Sequence, residues 1–197
     1  KEFSRRSFLK VGTTAALGLA VAPSMLMGRS KKKDAAPKPL DRKLKVLGVG
    51  IGGRGASVLK ELETEEIIGL CDVDWKYAAH VFERYPNAKR YNDYKVMYAE
   101  LLDEADAVVV ATADHTHAII AAEAIVAGKH VYVEKPLTHT VYESRLLTRL
   151  AKKYGVATQM GNQGSSGDGV KTVCEWIWNG EIGEVTRVEA FTDRPIW

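Results

Sequence analysis

The chain has 197 residues, and 46% of them are hydrophobic, which is enough for one ordinary domain with a core of its own. The net charge of +3 is uneven, because residues 1–43 contain eleven Lys and Arg against three Asp and Glu, whereas the remainder carries a net charge of −5. An acidic body argues against a nucleic-acid-binding surface. Two cysteines, Cys71 and Cys174, exclude a disulfide scaffold, and no Cys/His cluster has zinc spacing. We expect both thiols to be buried and unpaired.

The basic N-terminal segment resembles a twin-arginine export signal. Ser4–Lys10 reads SRRSFLK, and an apolar stretch rich in Gly, Ala and Thr follows as far as Met27. This stretch contains Pro23 and suits a removable signal better than a stable membrane span. We therefore expect residues 1–27 to engage the twin-arginine export machinery and to direct the protein to the periplasm, with membrane anchoring if the signal stays uncleaved. Residues 28–43 read as a charged linker without a core.

The body opens with a short strand that ends in a glycine-rich turn. An apolar run from Leu44 to Leu47 predicts the strand, and Gly48, Gly50 and Gly53 follow with the spacing G-x-G-x-x-G, with further glycines at 52 and 55. A helix pattern and a second apolar strand come next, and the second strand ends in Asp72, nineteen residues after Gly53. Strand, glycine turn, helix, strand and acid in this order predict a dinucleotide-binding site.

Each part of this arrangement has its own physical role. The glycines permit a tight turn, close approach of the main chain to a diphosphate, and close packing of helix on strand. The N-terminus of the helix offers N–H groups and a partial positive charge. A carboxylate at Asp72 can accept hydrogen bonds from both ribose hydroxyls and would repel a 2′-phosphate, so NAD is expected rather than NADP. Arg54 could soften that preference by binding phosphate, and Asp74 is the second candidate for the acid.

Helical and apolar patterns continue to alternate along the body. Helices are predicted over 56–64, 75–85, 94–104, 117–128 and 138–155, and strands over 66–74, 88–91, 105–112, 129–136 and 156–162. The last of these helices opens with a Thr140-x-x-Glu143 capping box and closes at Gly155. We predict an α/β fold, a doubly wound parallel-sheet Rossmann domain over residues 44–163, with strand order 3-2-1-4-5-6.

A different pattern begins after residue 163. Apolar residues at Val170, Val173, Cys174 and Ile177 predict an amphipathic helix ending at Gly180, and residues 185–191 alternate like a half-exposed strand. We interpret residues 164–197 as the start of a truncated C-terminal α/β domain, and we expect the chain to be a fragment.

Three loops should border a ligand crevice, because ligands of open α/β sheets bind at the carboxyl ends of the strands. They are residues 112–117 after the fourth strand, Glu134 and Lys135 at the end of the fifth, and residues 161–163 after the sixth. A lysine there can hold a substrate hydroxyl and pass its proton as a hydride leaves carbon. Pro136 stiffens the loop. The alternative is an ordinary surface Glu-Lys pair at a strand exit.

The glycine turn GVGIGGRG, the strand end CDVD, the segment ATADHTHAIIAAEAIVAGKHVYVEKP and the sequence GNQG together resemble the Gfo/Idh/MocA oxidoreductases. The resemblance covers residues 44–197 and implies an NAD(P)-dependent enzyme acting on sugars or polyols, with Lys135 contacting substrate and nicotinamide. Ala113 replaces a proline that the family often has after the position of Thr112. The cofactor-binding positions we expect, with Lys135 also as the catalytic residue and with no metal, are Gly48, Gly50, Ile51, Gly52, Gly53, Arg54, Asp72, Thr112, His117, Glu134, Lys135, Asn162 and Gln163.

Three functions remain open on these residues. The first is an exported oxidoreductase that transfers a hydride between NAD(P) and a sugar or polyol carbon. The alternative is a glycoside hydrolase that holds NAD and oxidises its sugar transiently, as the resemblance allows. The third is a sugar-sensing protein that kept the nucleotide fold without catalysis. The resemblance also implies further catalytic residues beyond Trp197, so this chain alone should not complete the reaction, and it implies a homo-oligomer at full length.

Overall fold

The computed structural model describes residues 41–193, and the export-signal prediction lies outside them. Strands and helices alternate along this part of the chain, with a 3₁₀ turn at Asp114–Thr116. In chain order the elements are β1 (Lys45–Val49), α1 (Arg54–Glu61), β2 (Glu66–Cys71), α2 (Ala79–Arg84), β3 (Lys89–Tyr91), α3 (Tyr94–Leu101), β4 (Ala107–Val110), α4 (His117–Val126), β5 (His130–Glu134), α5 (Val141–Tyr154), β6 (Thr158–Gly161), α6 (Gln163–Ser166) and α7 (Asp168–Trp178).

The six strands of the described residues form one sheet in the order β3-β2-β1-β4-β5-β6, and every pair is parallel. This is the predicted doubly wound sheet, so the predicted fold class is confirmed. Register along the sheet brings the strand ends level, with Val110 opposite Val49 and Val133, and Glu134 opposite Gly161. The loops that follow β1, β4, β5 and β6 therefore leave the sheet at the same edge.

Apolar side chains cover both faces of the sheet, because successive residues of a strand point to opposite sides. On one face Leu47, Val108 and Val133 pack against α3, α4 and α5. On the other face Val46, Leu70 and Val109 pack against α1 and α2. The continuous apolar run of β4 follows from this arrangement, since its side chains are buried on both sides.

The two ends of α5 match the capping signals in its sequence. The Thr140 side chain accepts the N–H of Glu143, and the Glu143 carboxylate accepts the N–H of Thr140, so the predicted capping box of α5 is confirmed. The same helix ends at Gly155, whose φ of 68° is in the left-handed region that favours glycine. These two local signals fix the residues at which α5 begins and ends.

The end of the described chain differs from the prediction. α7 forms as an amphipathic helix, but residues 185–191 are not a strand, and Val188 and Phe191 are exposed. A strand needs a neighbour for its main-chain N–H and C=O groups, and the part of the chain described by the structure pairs none with this segment. Cys174 is only half-buried on α7, whereas Cys71 is buried as expected.

Arg42 lies within the predicted linker but contacts the folded body of the protein. The Arg42 guanidinium binds the Asp106 carboxylate through Nη1–Oδ2 and Nη2–Oδ1 contacts of 2.7 and 2.8 Å. The Lys45 N–H donates to Asp106 Oδ2 at 2.8 Å as well. Arg42 therefore closes the amino edge of the sheet instead of belonging to a coreless linker.

None of the helices within residues 41–193 combines the length and apolar character needed to cross a bilayer.

Candidate functional site

The glycine turn sits at the end of β1, two residues later than the sequence motif was aligned. Gly48 lies inside β1, because the strand extends to Val49. Gly50 makes the turn with a φ of 77°, and a Cβ there would lie 2.6 Å from the main chain of Ala111 and Thr112. Its N–H donates to the Cys71 carbonyl at 2.9 Å. The tight-turn glycine is thus Gly50 rather than Gly48.

The other two glycine roles shift with the first. A Cβ on Gly52 would lie 2.4 Å from the ring of Tyr77, and one on Gly55 would lie 2.2 Å from the Gly50 carbonyl oxygen. Gly55 is the second residue of α1, so the helix packs directly on the turn. The motif that the structure uses is Gly50-x-Gly52-x-x-Gly55. The same spacing is visible in the sequence, but only the true end of β1 decides between the two alignments.

Asp72 closes this turn from the end of β2. Its Oδ2 accepts the N–H groups of Ile51 and Gly52, both at 2.8 Å, and its Oδ1 accepts the N–H of Asp74 at 3.0 Å. The Asp74 side chain instead accepts the N–H of Tyr77 at 2.9 Å and shapes the following turn. The acid beside the glycine turn is therefore Asp72, the first of the two predicted candidates by position.

Cys71 lies directly before this carboxylate. Burial, with Asp72 and Asp93 as negatively charged neighbours, raises the pKa of its thiol to about 12. The sulfur therefore stays protonated near neutral pH, and a thiolate nucleophile is not available here.

The arrangement fits a dinucleotide. Bare main chain at Gly50 and Gly52 leaves room for a diphosphate, since a Cβ at either position would fill the turn. The first turn of α1 begins beside it at Arg54, where helix N–H groups have no partners within the helix. Asp72 lies against the same turn, with Oδ2 on the Ile51 and Gly52 N–H groups.

The loop after β4 is organised by its own hydroxyl groups. Thr116 Oγ1 lies 2.7 Å from both Thr112 Oγ1 and the Ala113 carbonyl oxygen, and it donates to one or the other. His117 follows the 3₁₀ turn directly and is the first residue of α4. His117 is buried, with Nδ1 2.7 Å from the Pro136 carbonyl oxygen and Nε2 3.0 Å from that of Thr112. Neither ring nitrogen is left to contact a cofactor, in contrast to the predicted role.

The loop after β5 contains the Glu-Lys-Pro sequence. The Lys135–Pro136 peptide bond is cis, and the Lys135 N–H donates to Glu134 Oε2 at 3.1 Å. The Lys135 side chain is exposed, and within residues 41–193 no hydrogen bond or ion pair holds its ammonium group. The ammonium is therefore available to a ligand at the carboxyl edge.

The Glu134 side chain is only 3% exposed. Its Oε1 accepts a short hydrogen bond from Gln163 Nε2 and lies 3.4 Å from Arg54 Nε. Gln163 Nε2 also donates to the Tyr132 hydroxyl at 2.8 Å. Burial raises the pKa of Tyr132, and the nearby Glu134 charge adds to that rise. Glu134 thus links α1, β5 and α6 within the protein, and Arg54 reaches across from the start of α1 to meet it.

The predicted site residues consequently form two groups. The first group, at the carboxyl edge of the sheet, comprises the glycine turn, Asp72 and the exposed Lys135 and Asn162. The supporting group comprises His117, Glu134 and Gln163, whose polar atoms bind other protein atoms. Gly55, Tyr77 and Tyr132 join the site without having been assigned to it. Gly55 alone had a signal in the sequence, since it completes the second G-x-G-x-x-G.

A cavity of about 700 Å³ lies beside α1 on one face of the sheet, lined by Val46, Val58, Val109 and Tyr132 among others. Only its Arg54 and Gln163 end approaches the strand ends, so this cavity is distinct from the crevice. Among the described residues, no group of three or more His, Cys, Asp or Glu is placed to hold a metal ion.

Comparison with known proteins agrees with this geometry. The sequence pattern of the GFO/IDH/MocA family, an oxidoreductase family with an NAD-binding Rossmann fold, matches residues 43–162. An α-N-acetylgalactosaminidase of Shewanella oneidensis is 29% identical over 208 aligned positions, which cover 94% of this chain and 45% of that protein. The chain thus spans about half the length of the curated relatives it matches.

Two solved structures share the fold. A complex of GenD2, from gentamicin A biosynthesis, with NAD is 29% identical, with a TM-score of 0.63 over 71% of this chain and 40% of that one. A myo-inositol 2-dehydrogenase of Lactobacillus plantarum, 21% identical, has a TM-score of 0.64 over 73% of this chain and 43% of that one. The family pattern covers more than half of the 197 residues, and the strand order and glycine turn agree with it. The chain belongs to the GFO/IDH/MocA oxidoreductase family, with its NAD-binding Rossmann fold.

Proposed function

We propose that the full-length protein is an NAD-dependent oxidoreductase that transfers a hydride between the cofactor and a hydroxyl-bearing carbon of a sugar or polyol. The observation that carries the proposal is the placement of Lys135. Its exposed ammonium stands at the carboxyl edge of the sheet, on the strand two places from β1, whose glycine turn fits a diphosphate. Family membership supports the same chemistry.

The residues divide the work as follows. The side-chain-free glycine turn would let the diphosphate approach, the N–H groups of the first turn of α1 would bind it, and Asp72 would accept hydrogen bonds from the adenosine ribose. The bound cofactor supplies the hydride acceptor. Lys135 would hold the substrate hydroxyl and move its proton as the carbon is oxidised. The carboxylate of Asp72 favours NAD over NADP, because a 2′-phosphate would meet a negative charge.

A second candidate function is an NAD-dependent glycosidase. It is favoured by the relatives that align with 94% of this chain, one of which is named an α-N-acetylgalactosaminidase. In that reaction the sugar hydroxyl is oxidised, the aglycone leaves by elimination, water adds, and the hydride returns to the sugar. Release of nitrophenol from aryl glycosides without net NADH would distinguish it from the first.

Replacement of Lys135 by alanine tests the catalytic role. We expect kcat of the full-length protein on its best sugar or polyol to fall about 100-fold or more, because a positioned acid–base group contributes about that much. The Kd for NAD should change by less than about threefold. The matched control is Lys129→Ala, just before the opposite end of β5, where the ammonium binds the Asp103 carbonyl.

The outcomes separate the oxidoreductase from a non-catalytic sugar-binding protein. NADH formation that stops in the Lys135 variant while NAD still binds supports the oxidoreductase. Unchanged function in the Lys135 variant would instead indicate a non-catalytic sugar-binding protein. Failure of the unsubstituted protein to reduce NAD with any member of a sugar and polyol panel counts against the main proposal.

We further propose that residues 1–27 export the protein through the twin-arginine pathway. The support for export is the SRRSFLK sequence and its apolar extension. Export of the folded, cofactor-loaded protein suits an enzyme that needs a cytoplasmic nucleotide. If Arg5→Lys and Arg6→Lys together leave the periplasmic fraction unchanged, this assignment is wrong.

We also propose that residues 164–197 begin a C-terminal α/β domain that supports self-association. A full-length protein that sediments as a monomer excludes the self-association.

A further inference from the structure

His117 has an unusual set of partners for a buried histidine. The side chain is only 1% exposed. Nδ1 faces the Pro136 carbonyl oxygen at 2.7 Å, and Nε2 faces the Thr112 carbonyl oxygen at 3.0 Å. A carbonyl oxygen can only accept a hydrogen bond, so each contact is favourable only when its ring nitrogen carries a hydrogen. A neutral imidazole carries one N–H and donates to one of the two carbonyls, and the shorter Nδ1 contact favours the tautomer in which Nδ1–H donates to Pro136.

These two carbonyls belong to neighbouring loops at the carboxyl edge of the sheet. Thr112 follows β4, the neighbour of β1, and Pro136 follows β5. His117 itself begins α4, whose position is fixed by the Thr116 hydroxyl and by burial of the helix against the sheet. The Nδ1 contact thus joins the β5 loop to a rigid helix start.

The same contact completes the restraint of Lys135. On its N-terminal side, the Lys135 N–H donates to the Glu134 carboxylate, which is buried and bound to Gln163. On its C-terminal side, the next residue is Pro136, whose carbonyl is bound by His117. The main chain is held on both sides, while the ammonium projects freely from the exposed side chain.

We propose that His117 is a positioning residue, which sets the Lys135 ammonium by tying the β5 loop to the start of α4 through Nδ1–H and the Pro136 carbonyl. The inference rests on the proposed function, since it assigns Lys135 the contact with the substrate hydroxyl. It differs from a cofactor-binding role, because the ring is buried and both nitrogens lie against carbonyl oxygens of the protein. It differs from a merely structural role, because the two nitrogens should matter unequally for turnover.

Two isosteric substitutions separate the two nitrogens. In His117→Asn the amide nitrogen takes the place of Nδ1 and can still donate to Pro136. In His117→Gln the amide nitrogen takes the place of Nε2, so the Thr112 contact stays and the Pro136 contact is lost. For the full-length protein we expect kcat to fall about tenfold or more in His117→Gln and less than about threefold in His117→Asn. The Kd for NAD should change less than about threefold in both.

A second measurement does not depend on turnover. Hydrogen exchange of peptides covering residues 134–138 should accelerate in His117→Gln and remain near the unsubstituted rate in His117→Asn. The control is His139→Gln, an exposed histidine close by in the same loop, which should change neither kcat nor exchange.

Each outcome decides the proposal. A rise in the NAD Kd that matches the fall in kcat would make His117 a cofactor ligand and overturn it. Equal kcat and equal exchange in the Asn and Gln variants would overturn it as well, since the two nitrogens would then be equivalent. If the unsubstituted protein turns over no substrate while the exchange rates still separate as expected, the tether stands and the proposed function fails.

Discussion

Gly55 shows how a single residue can fix the alignment of a short motif. A Cβ at this position would lie 2.2 Å from the Gly50 carbonyl oxygen and 3.3 Å from the Ala111 Cβ. The nearest obstacle is main chain, which cannot turn aside as a side chain can. A Cβ on Gly53, the third glycine of the Gly48-x-Gly50-x-x-Gly53 spacing, would instead lie 3.1 Å from the Tyr77 hydroxyl, the far end of an exposed side chain. The close packing of α1 on the turn therefore depends on Gly55.

Substitution of Gly55 by alanine should damage both stability and cofactor binding. Forcing a methyl group into this contact shifts α1 away from Gly50 and should lower the free energy of unfolding by about 1–3 kcal/mol, as overpacking does elsewhere. The diphosphate cradle moves with it, so the NAD Kd should rise about tenfold or more. Denaturant unfolding and NAD titration of the full-length protein measure the two effects.

The control for Gly55 is Gly164→Ala, because nothing lies within 4 Å of the Cβ position of Gly164. It should change neither quantity. A Gly55→Ala protein with unchanged stability and NAD affinity would show that α1 does not pack on the turn in this way.

The site could be predicted from the sequence in position but only partly in role. Asp72 and Lys135 were found because an acid at the end of β2 and a lysine at the end of β5 follow from the chain order of a parallel sheet. His117 and Glu134 were assigned to the crevice for the same reason, yet their side chains turn into the protein. Sequence order fixes which edge a residue occupies, whereas the direction of its side chain depends on tertiary partners that no local pattern contains.

Among the helices and strands, those specified by local sequence signals are predicted better than those that need a partner far away in the chain. α5 was placed to within a few residues, because its capping box and Gly155 are local signals. The strand predicted over residues 185–191 did not form, because alternation is a local pattern whereas strand pairing requires a distant partner. The short helix α6 had no signal of its own, since Gln163–Ser166 lacks any apolar periodicity.

Removal of the α5 cap should destabilise the protein without affecting the site. In Thr140→Ala the Glu143 N–H loses its side-chain acceptor, and the free energy of unfolding should fall by about 1 kcal/mol. Thr148→Ala is the matched control in the exposed middle of the same helix, where alanine has the higher helix propensity, so stability should be equal or greater. Equal losses in both variants, measured by chemical denaturation, would mean that the capping box does not stabilise α5.

Within the described residues, the Arg42–Asp106 ion pair and the charges of Asp72 and Lys135 lie at opposite edges of the sheet. Every strand of the described sheet runs in the same direction, so Asp72, Lys135 and Asn162 follow strand ends at the carboxyl edge. The amino edge holds the Arg42–Asp106 pair, which joins the segment before β1 to the segment before β4.

The two edges should respond differently to matched substitutions. Asp106→Asn should lower the free energy of unfolding by about 1 kcal/mol near pH 7, because Arg42 is half-exposed and its pair with Asp106 is screened by water. It should leave the NAD Kd unchanged. Asp72→Asn should instead weaken NAD binding, since the amide oxygen can still accept the Ile51 and Gly52 N–H groups, whereas the charge that would bind ribose and the acceptor for the Asp74 N–H are lost. We expect its NAD Kd to rise about tenfold or more.

The pH dependence of the Asp106 effect follows from the sign of its pKa shift. Hydrogen bonding by Arg42, together with the Lys45 N–H and the charge of Lys129, holds the pKa of Asp106 far below its usual value in the folded protein. A lowered folded pKa stabilises the protein above the unfolded pKa of about 4, and this contribution is lost as pH falls below it. The stability difference between the unsubstituted protein and Asp106→Asn should therefore be constant from pH 5 to 8 and shrink in acid. A difference that persists unchanged at about pH 2, in unfolding experiments at fixed ionic strength, would rule out the ion pair as its source.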